Sequence, residues 1–145
     1  MAARPKRPTD WRKRFDAAKP AHTVLLNADF AGIRAGTVLF IATPGVIANY
    51  VSRIPPGETR TIERMRNELA RRNDAAATCP VTTAMYLRVV AEVALDDLSR
   101  GKPTDSVVPF WRIIEPGGKI ARRLSCDDAL IAHMRALETG RAPEA

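Results

Sequence analysis

The sequence predicts a mostly helical α+β domain with a small antiparallel β element near its N-terminal end. Three observations predict it. Two short β-rich runs, residues 22–26 and 37–41, are separated by the turn formers Asn27, Asp29, Gly32 and Gly36. Four later segments place apolar residues at helical spacing between capping and terminating signals. Between the last two of them lie a proline-led apolar run, residues 107–114, and a Glu115-Pro116-Gly117-Gly118 turn, the makings of a hairpin. The 145 residues are the length of one domain, and 46% hydrophobic content suffices for a core.

Residues 1–22 read as a basic, largely irregular arm. Arg4, Lys6, Arg7, Arg12, Lys13, Arg14 and Lys19 are opposed only by Asp10 and Asp16, and Pro5, Pro8 and Pro20 confine any helix to a short turn at 11–18. Such an arm is either a solvated tail or a contact for phosphates. Trp11 either packs on the domain or stacks on a base; packing is expected. Residues 23–140 are expected to form the single domain and 141–145 a tail. The net charge of +7 argues for a polyanionic partner. No apolar run approaches membrane-spanning length, and residues 1–19 lack the apolar middle of a secretory signal. Cys79 and Cys126 form no close-spaced pair, and His22 and His133 stand alone. The expectation is a cytoplasmic protein with reduced thiols, no disulfide, no metal and no cofactor.

The helices follow in order. Thr43 caps the first, with Pro44 at its opening position; Ile47, Tyr50, Val51 and Ile54 share one face, and Pro55-Pro56-Gly57 stops it. Thr61 caps the second. Ile62, Met65, Leu69 and Ala70 are its buried stripe, Arg60, Arg64, Arg66, Arg71 and Arg72 lie on or beside it, and Asn73-Asp74 ends it. An alanine-rich linker leads to Cys79-Pro80, which opens a third helix running from 81 to about 99, with Gly101 just past its end. Val81, Ala84, Met85, Val90, Val93, Ala94 and Leu98 make it apolar on most sides, so it is expected to be central. Thr82, Thr83 and Tyr86 form a small polar patch near its start, and Arg88 and Glu92 stand four apart and can pair. The last helix has Ser125 as its cap with Asp128 three residues on, Leu130, Met134 and Leu137 as its apolar face, and Gly140 as its end.

Two helices joined by a short connection, the first rich in arginine and the second presenting hydroxyls at its start, suit groove binding. A hairpin after the pair, with Lys119-Ile120 beginning the returning strand, makes the arrangement a winged helix-turn-helix. Within the hairpin, Pro109 removes a backbone donor and holds Val108 extended. Pro109-Phe110-Trp111-Arg112 then reads either as a core strand or as two large rings and a cation gathered for recognition.

Several of these stretches together resemble a known family. Ile54-Pro55-Pro56-Gly57-Glu58, the helix around Leu69-Ala70, Gly101-Lys102-Pro103, residues 107–114, Gly118-Lys119-Ile120 and Leu137-Glu138-Thr139-Gly140 follow the order of one particular domain. It is the DNA-binding domain of the O6-alkylguanine-DNA alkyltransferases, a family that includes the alkyltransferase-like proteins. The resemblance covers about residues 44–140, and residues 101–114 are similar without a gap to the family's pattern GNPxxxxxPCHRVV. It implies a winged helix that enters the minor groove, an arginine that takes the place of a flipped base, and a pocket where a cysteine accepts the alkyl group. Carried over by position, the cysteine is Phe110, its histidine partner is Trp111, and Arg112 is retained. The hinge asparagine is Lys102, the tyrosine that opens the second helix is Ile62, and the relay glutamate is Glu138. Arg88, within Leu87-Arg88-Val89-Val90, resembles the recognition arginine.

The resemblance thus implies a base pocket of Ile62, Phe110, Trp111, Arg112 and Glu138. With the charge pattern, it points to DNA contacts from Arg60, Arg64, Thr82, Thr83, Arg88, Lys102 and Lys119. No catalytic residue is expected: neither ring can supply a thiolate, and Cys79 and Cys126 stand elsewhere, where a structural thiol is the first expectation. Alkyltransferase-like proteins also lack the cysteine, commonly carry tryptophan there, bind alkylated DNA and recruit excision repair. The expectation is a monomeric, non-enzymatic protein that binds double-stranded DNA and senses alkylated bases, away from membranes, with RNA or a repair protein as further partners. The alternative is a general nucleic-acid or ribonucleoprotein module with no lesion pocket. A third reading, an enzyme using Cys79 or Cys126, requires one of those thiols to be reactive.

Overall fold

In the computed structural model, which describes residues 8–140, the chain is α+β with about half of it helical. Arg4, Pro5, Lys6 and Arg7 of the arm and the 141–145 tail lie outside the described residues. The helices are α1 (Trp11–Asp16), α2 (Pro44–Ser52), α3 (Ile62–Arg72), α4 (Pro80–Ser99) and α5 (Leu130–Thr139). The strands are β1 (His22–Leu25), β2 (Val38–Ile41) and β3 (Ala77–Thr78).

Capping explains where three of the helices start. Thr43 Oγ1 accepts from the Val46 amide at 3.1 Å, and Thr61 Oγ1 accepts from the Arg64 amide at 3.0 Å. Asp10 Oδ1 does the same for Lys13 at the head of α1. Pro44 and Pro80 occupy the first turns of α2 and α4, where a missing N–H costs nothing. Gly140 closes α5 with φ 69°, a left-handed conformation that a side chain would oppose.

The β element forms as expected, with β1 antiparallel to β2 and His22 opposite Ile41. The alanine-rich linker is more than a linker. Its residues Ala77 and Thr78 pair in parallel with Leu39 and Phe40 of β2. The amides of Ala76 and Cys79 extend the pairing to Val38 O and Phe40 O, both at 2.9 Å. Thr78, itself buried, donates to Arg66 O at 2.7 Å. The turn between α3 and α4 is therefore fastened to the sheet edge. As expected, α4 is central. Leu87, Val90, Ala91 and Ala94 form one core with Ile47 and Val51 of α2, Met65 and Leu69 of α3, Phe110, Trp111 and Ile131.

The hairpin wing does not form. No strand lies between residues 107 and 120; the chain instead tightens into 3-10 turns at Thr104–Ser106, Phe110–Arg112 and Ala121–Arg123. Packing gives the reason. Val107, Pro109, Phe110, Trp111, Ile113 and Ile114 are all buried, whereas a half-buried strand would turn alternate residues to solvent. The bond from the Ile114 amide to Phe110 O, 2.9 Å, winds consecutive apolar residues into the same core.

The last helix also starts later than expected. Its N-cap is Ala129, with no side-chain cap, and the Ala129 amide is held by Asp127 Oδ1 at 2.8 Å. The Ser125 amide donates to Glu92 Oε1 at 2.6 Å. Glu92 is thereby buried and does not pair with Arg88. Among the described residues, no helix is long and apolar enough to cross a membrane.

Candidate nucleic-acid interface

Within the described part of the arm, Trp11–Asp16 forms α1, which docks on α4. Arg12 reaches both carboxylate oxygens of Asp97, at 3.0 and 3.1 Å, which ties α1 to the last turn of α4. Trp11 packs, as expected. The Arg88 guanidinium lies 5.0 Å from its ring centroid and that of Arg14 5.4 Å. Beneath the ring, Arg88 Nε is buried without a hydrogen-bond partner, so the aromatic face is its compensation.

Beside this stack, α1, the N-terminal half of α4 and the turn at 119–123 enclose a cleft of about 470 Å³. Among the described residues its cations are Arg14, Arg88, Lys119 and Arg123, and no carboxylate lines it. Trp11, Met85 and Val81 contribute apolar wall, with Val81 53% and Met85 44% exposed. Four cations in a concave site with no acid among its walls focus a positive potential outward. Three of the four are guanidiniums, whose planar fork matches phosphate oxygens. The exposed apolar patch beside them is suited to the flat face of a sugar or base.

Of the expected DNA contacts, only Arg88 and Lys119 line this cleft. Thr83 is fully buried and donates to Cys79 O at 2.6 Å, so it is unavailable to a ligand. Thr82 is half-buried, and its hydroxyl oxygen is buried without a partner. Lys102 lies beyond the far end of α4, 3.7 Å from Asp97, and Arg88 is roughly 17 Å back along the helix from Ser99 at 1.5 Å per residue. Arg60 and Arg64 belong to a separate cavity between α2 and α3. Sequence reasoning missed Trp11, Arg14 and Arg123 as members of one site. A tryptophan amid arm cations is visible in the sequence, but nothing in the linear order places it over α4.

The expected base pocket is not formed. Phe110 and Trp111 are 0% and 1% exposed and meet edge to face, with centroids 5.4 Å apart. Ile62 lines a cavity of about 320 Å³ with Thr59, Ile113 and Arg135, and neither ring reaches it. What the structure builds from Trp111, Arg112 and Glu138 is a knot. Trp111 Nε1 donates to Glu138 Oε1 at 2.9 Å, and Arg112 donates from Nε and Nη2 at 2.6 to 3.1 Å. The Gly57 amide reaches Glu138 Oε2 at 3.2 Å, and Arg112 Nη1 reaches Ile54 O at 2.7 Å. Burial pushes the Glu138 carboxyl up, but the hydrogen bonds from Arg112, Trp111 and Gly57 outweigh it and hold the group below its ordinary value. These polar groups are engaged in holding the fold.

Both cysteines are free thiols. Cys79 is buried at the head of α4. Burial, and then the charges of Glu92, Asp128 and Asp127, push the Cys126 thiol up, which disfavours the thiolate. Among the described residues no group of three or more His, Cys, Asp or Glu could hold a metal ion. No protein-family model matches the chain, and no curated protein or solved structure matches it either.

Proposed function

We propose that the protein binds duplex DNA through the cleft between α1, α4 and the 119–123 turn, performs no chemistry on it, and holds no pocket for a damaged base. The observation that carries this reading is the convergence of Arg14, Arg88, Lys119 and Arg123, from three separate parts of the chain, on one concavity without a carboxylate. The ordered resemblance to the alkyltransferase DNA-binding domain supports DNA as the polyanion. The burial of both rings at the family's reactive position supports recognition without a lesion site.

Fluorescence anisotropy with two duplexes, one carrying O6-methylguanine and one plain guanine, tests both halves. Equal affinity is expected, with log K falling linearly as log salt rises. A preference of about tenfold or more for the lesion, equivalent to about 1.4 kcal/mol, would return the base pocket to the protein. Absence of binding to either duplex at low salt would remove the DNA reading.

A further inference from the structure

A second cationic site stands on the other side of α4. A cavity of about 600 Å³ between α2 and α3 is lined by Arg53, Arg60, Arg64, Arg71 and Arg72, with Glu68 as its single carboxylate. Glu68 is engaged at the centre. It accepts from Arg64 Nε and from Tyr50 Oη, both at 2.8 Å, and stands 3.7 Å from Arg72. Arg60 is also paired with Glu58 at 3.4 Å, so five guanidiniums face two engaged carboxylates and leave a net excess of positive charge. Arg64 and Arg72, though held by Glu68, keep more than half of their side-chain surface in solvent, within reach of a ligand.

The two sites share no residue. Along α4, Val90 lies in the core with Ile47 and Val51 of α2, while Arg88 lines the cleft. Their positions differ by about 200° around the helix axis, at about 100° per residue. One ligand therefore cannot easily fill both sites, and two can fill them at once. The chemistry of the second cavity favours a regular phosphate backbone over a folded protein partner. Its two apolar lining residues, Tyr50 and Ile54, are 5% and 3% exposed, so no apolar anchor is offered for a protein hot spot. Guanidinium forks without an apolar floor suit phosphodiester oxygens.

We infer that the α2–α3 cavity binds the phosphodiester backbone of a second nucleic-acid segment, so that one chain bridges two duplexes. The inference rests on the duplex-binding reading of the cleft. The test captures a fluorescent duplex on a second, immobilised duplex by adding the full chain, and counts short duplexes bound per chain in solution. The unaltered chain is expected to bind two and to capture. The variant Arg53→Gln/Arg71→Gln/Arg72→Gln, changed only at exposed side chains, is expected to bind one and to lose capture at least about tenfold. If its thermal melting shows that the triple variant does not fold, Arg71→Glu alone is expected to weaken capture in the same direction. One duplex per chain without capture overturns the bridging and leaves the cleft reading standing. Absence of any duplex binding overturns both. Undiminished capture by the folded variants shows bridging through self-association and overturns the second site. A polyglutamate peptide bound by the unaltered chain but not by the triple variant, with no capture, assigns the cavity to a protein partner and overturns it as well.

Discussion

The guanidinium of Arg88 in α4 lies 5.0 Å from the ring centroid of Trp11 in α1, and its buried Nε has no hydrogen-bond acceptor. A cation otherwise stranded against the core is thus covered by an aromatic face from a distant part of the chain. The same stack helps to position the arm, together with the Arg12–Asp97 pair and with Phe15, which packs against the core.

Trp11→Ala should loosen the arm. The variant loses the stack on Arg88 and Arg14, at a cost of about 1–3 kcal/mol, less than for a fully buried tryptophan. Limited trypsin digestion should then cut faster after Arg12, Lys13 and Arg14. An unchanged cleavage rate would show that Phe15 and the Arg12–Asp97 pair hold α1 without the stack.

Removing single cleft cations should change the salt dependence more than the fold. Lys119→Gln and Arg123→Gln, both at exposed side chains, should each reduce the slope of log K against log salt by about 0.9 for each phosphate that is no longer neutralised, whereas Arg88→Gln also removes the stack under Trp11. Lys102→Gln, on the Asp97 side of the molecule, should leave the slope alone. Equal effects for Lys102 and Lys119, measured by anisotropy over a salt series, would move the interface away from the cleft.

Glu138→Gln should be the costliest of these single changes. It leaves Arg112 deep in the fold without its carboxylate, a loss of about 2–4 kcal/mol at neutral pH. The folded carboxyl is held below the ordinary value of 4.5. Its contribution is therefore present above that value and is lost as pH falls through the lower, folded pKa. Denaturant titrations should show the variant and the unaltered protein converging as the solution is made more acidic than this. A constant gap down to strong acid would contradict the assignment.

Tyr50 offers an alkaline counterpart. Burial, followed by the hydrogen bond and charge of Glu68, pushes its phenol up to about 12. A raised folded pKa means that the contribution is complete below pH 10 and is lost as pH rises from 10 toward 12. Ultraviolet titration should show a late phenolate step that disappears in Tyr50→Phe. A single phenolate step with its midpoint near pH 10 in the folded protein would refute the shift.

Phe110→Cys puts a thiol where the resemblance to the alkyltransferases would place their acceptor cysteine. Because that position is sealed, the variant should gain no methyl mass after incubation with an oligonucleotide carrying O6-methylguanine. It should lose about 2–4 kcal/mol of stability from the cavity created. A methyl group found on the introduced thiol would reveal a route into the core.

The helices are readable in the sequence because their signals are local. Thr43, Thr61, Pro44, Pro80 and Gly140 each act within a turn of where they stand, and the structure uses each of them as a cap or first-turn residue. The expected wing fails because β-branched and aromatic residues favour an alternating strand only when one face stays wet. Here both faces of 107–114 enter the core. Ser125 resembles a cap because the carboxylate three residues on is close in sequence, while the competing acceptor, Glu92, is 33 residues away. The candidate cleft is half legible. Arg88 and Lys119 stand out by their surroundings, but Arg14 joins them because α1 lies across α4, and Arg123 because the 3-10 turn at Ala121–Arg123 lines the same cleft.

The clasp on Glu138 also sets an order of events for the folding chain. The Gly57 amide meets its carboxylate only across 81 residues of sequence, and Trp111 meets it across 27. The segment between α2 and α3 can collapse early but cannot lock until α5 arrives. Pairings of such long separation slow folding, because the entropy of closing the loop is given up before the new interaction compensates for it. Refolding should therefore show α2 to α4 gathering first, with Trp111 fluorescence reporting the closing step at the end.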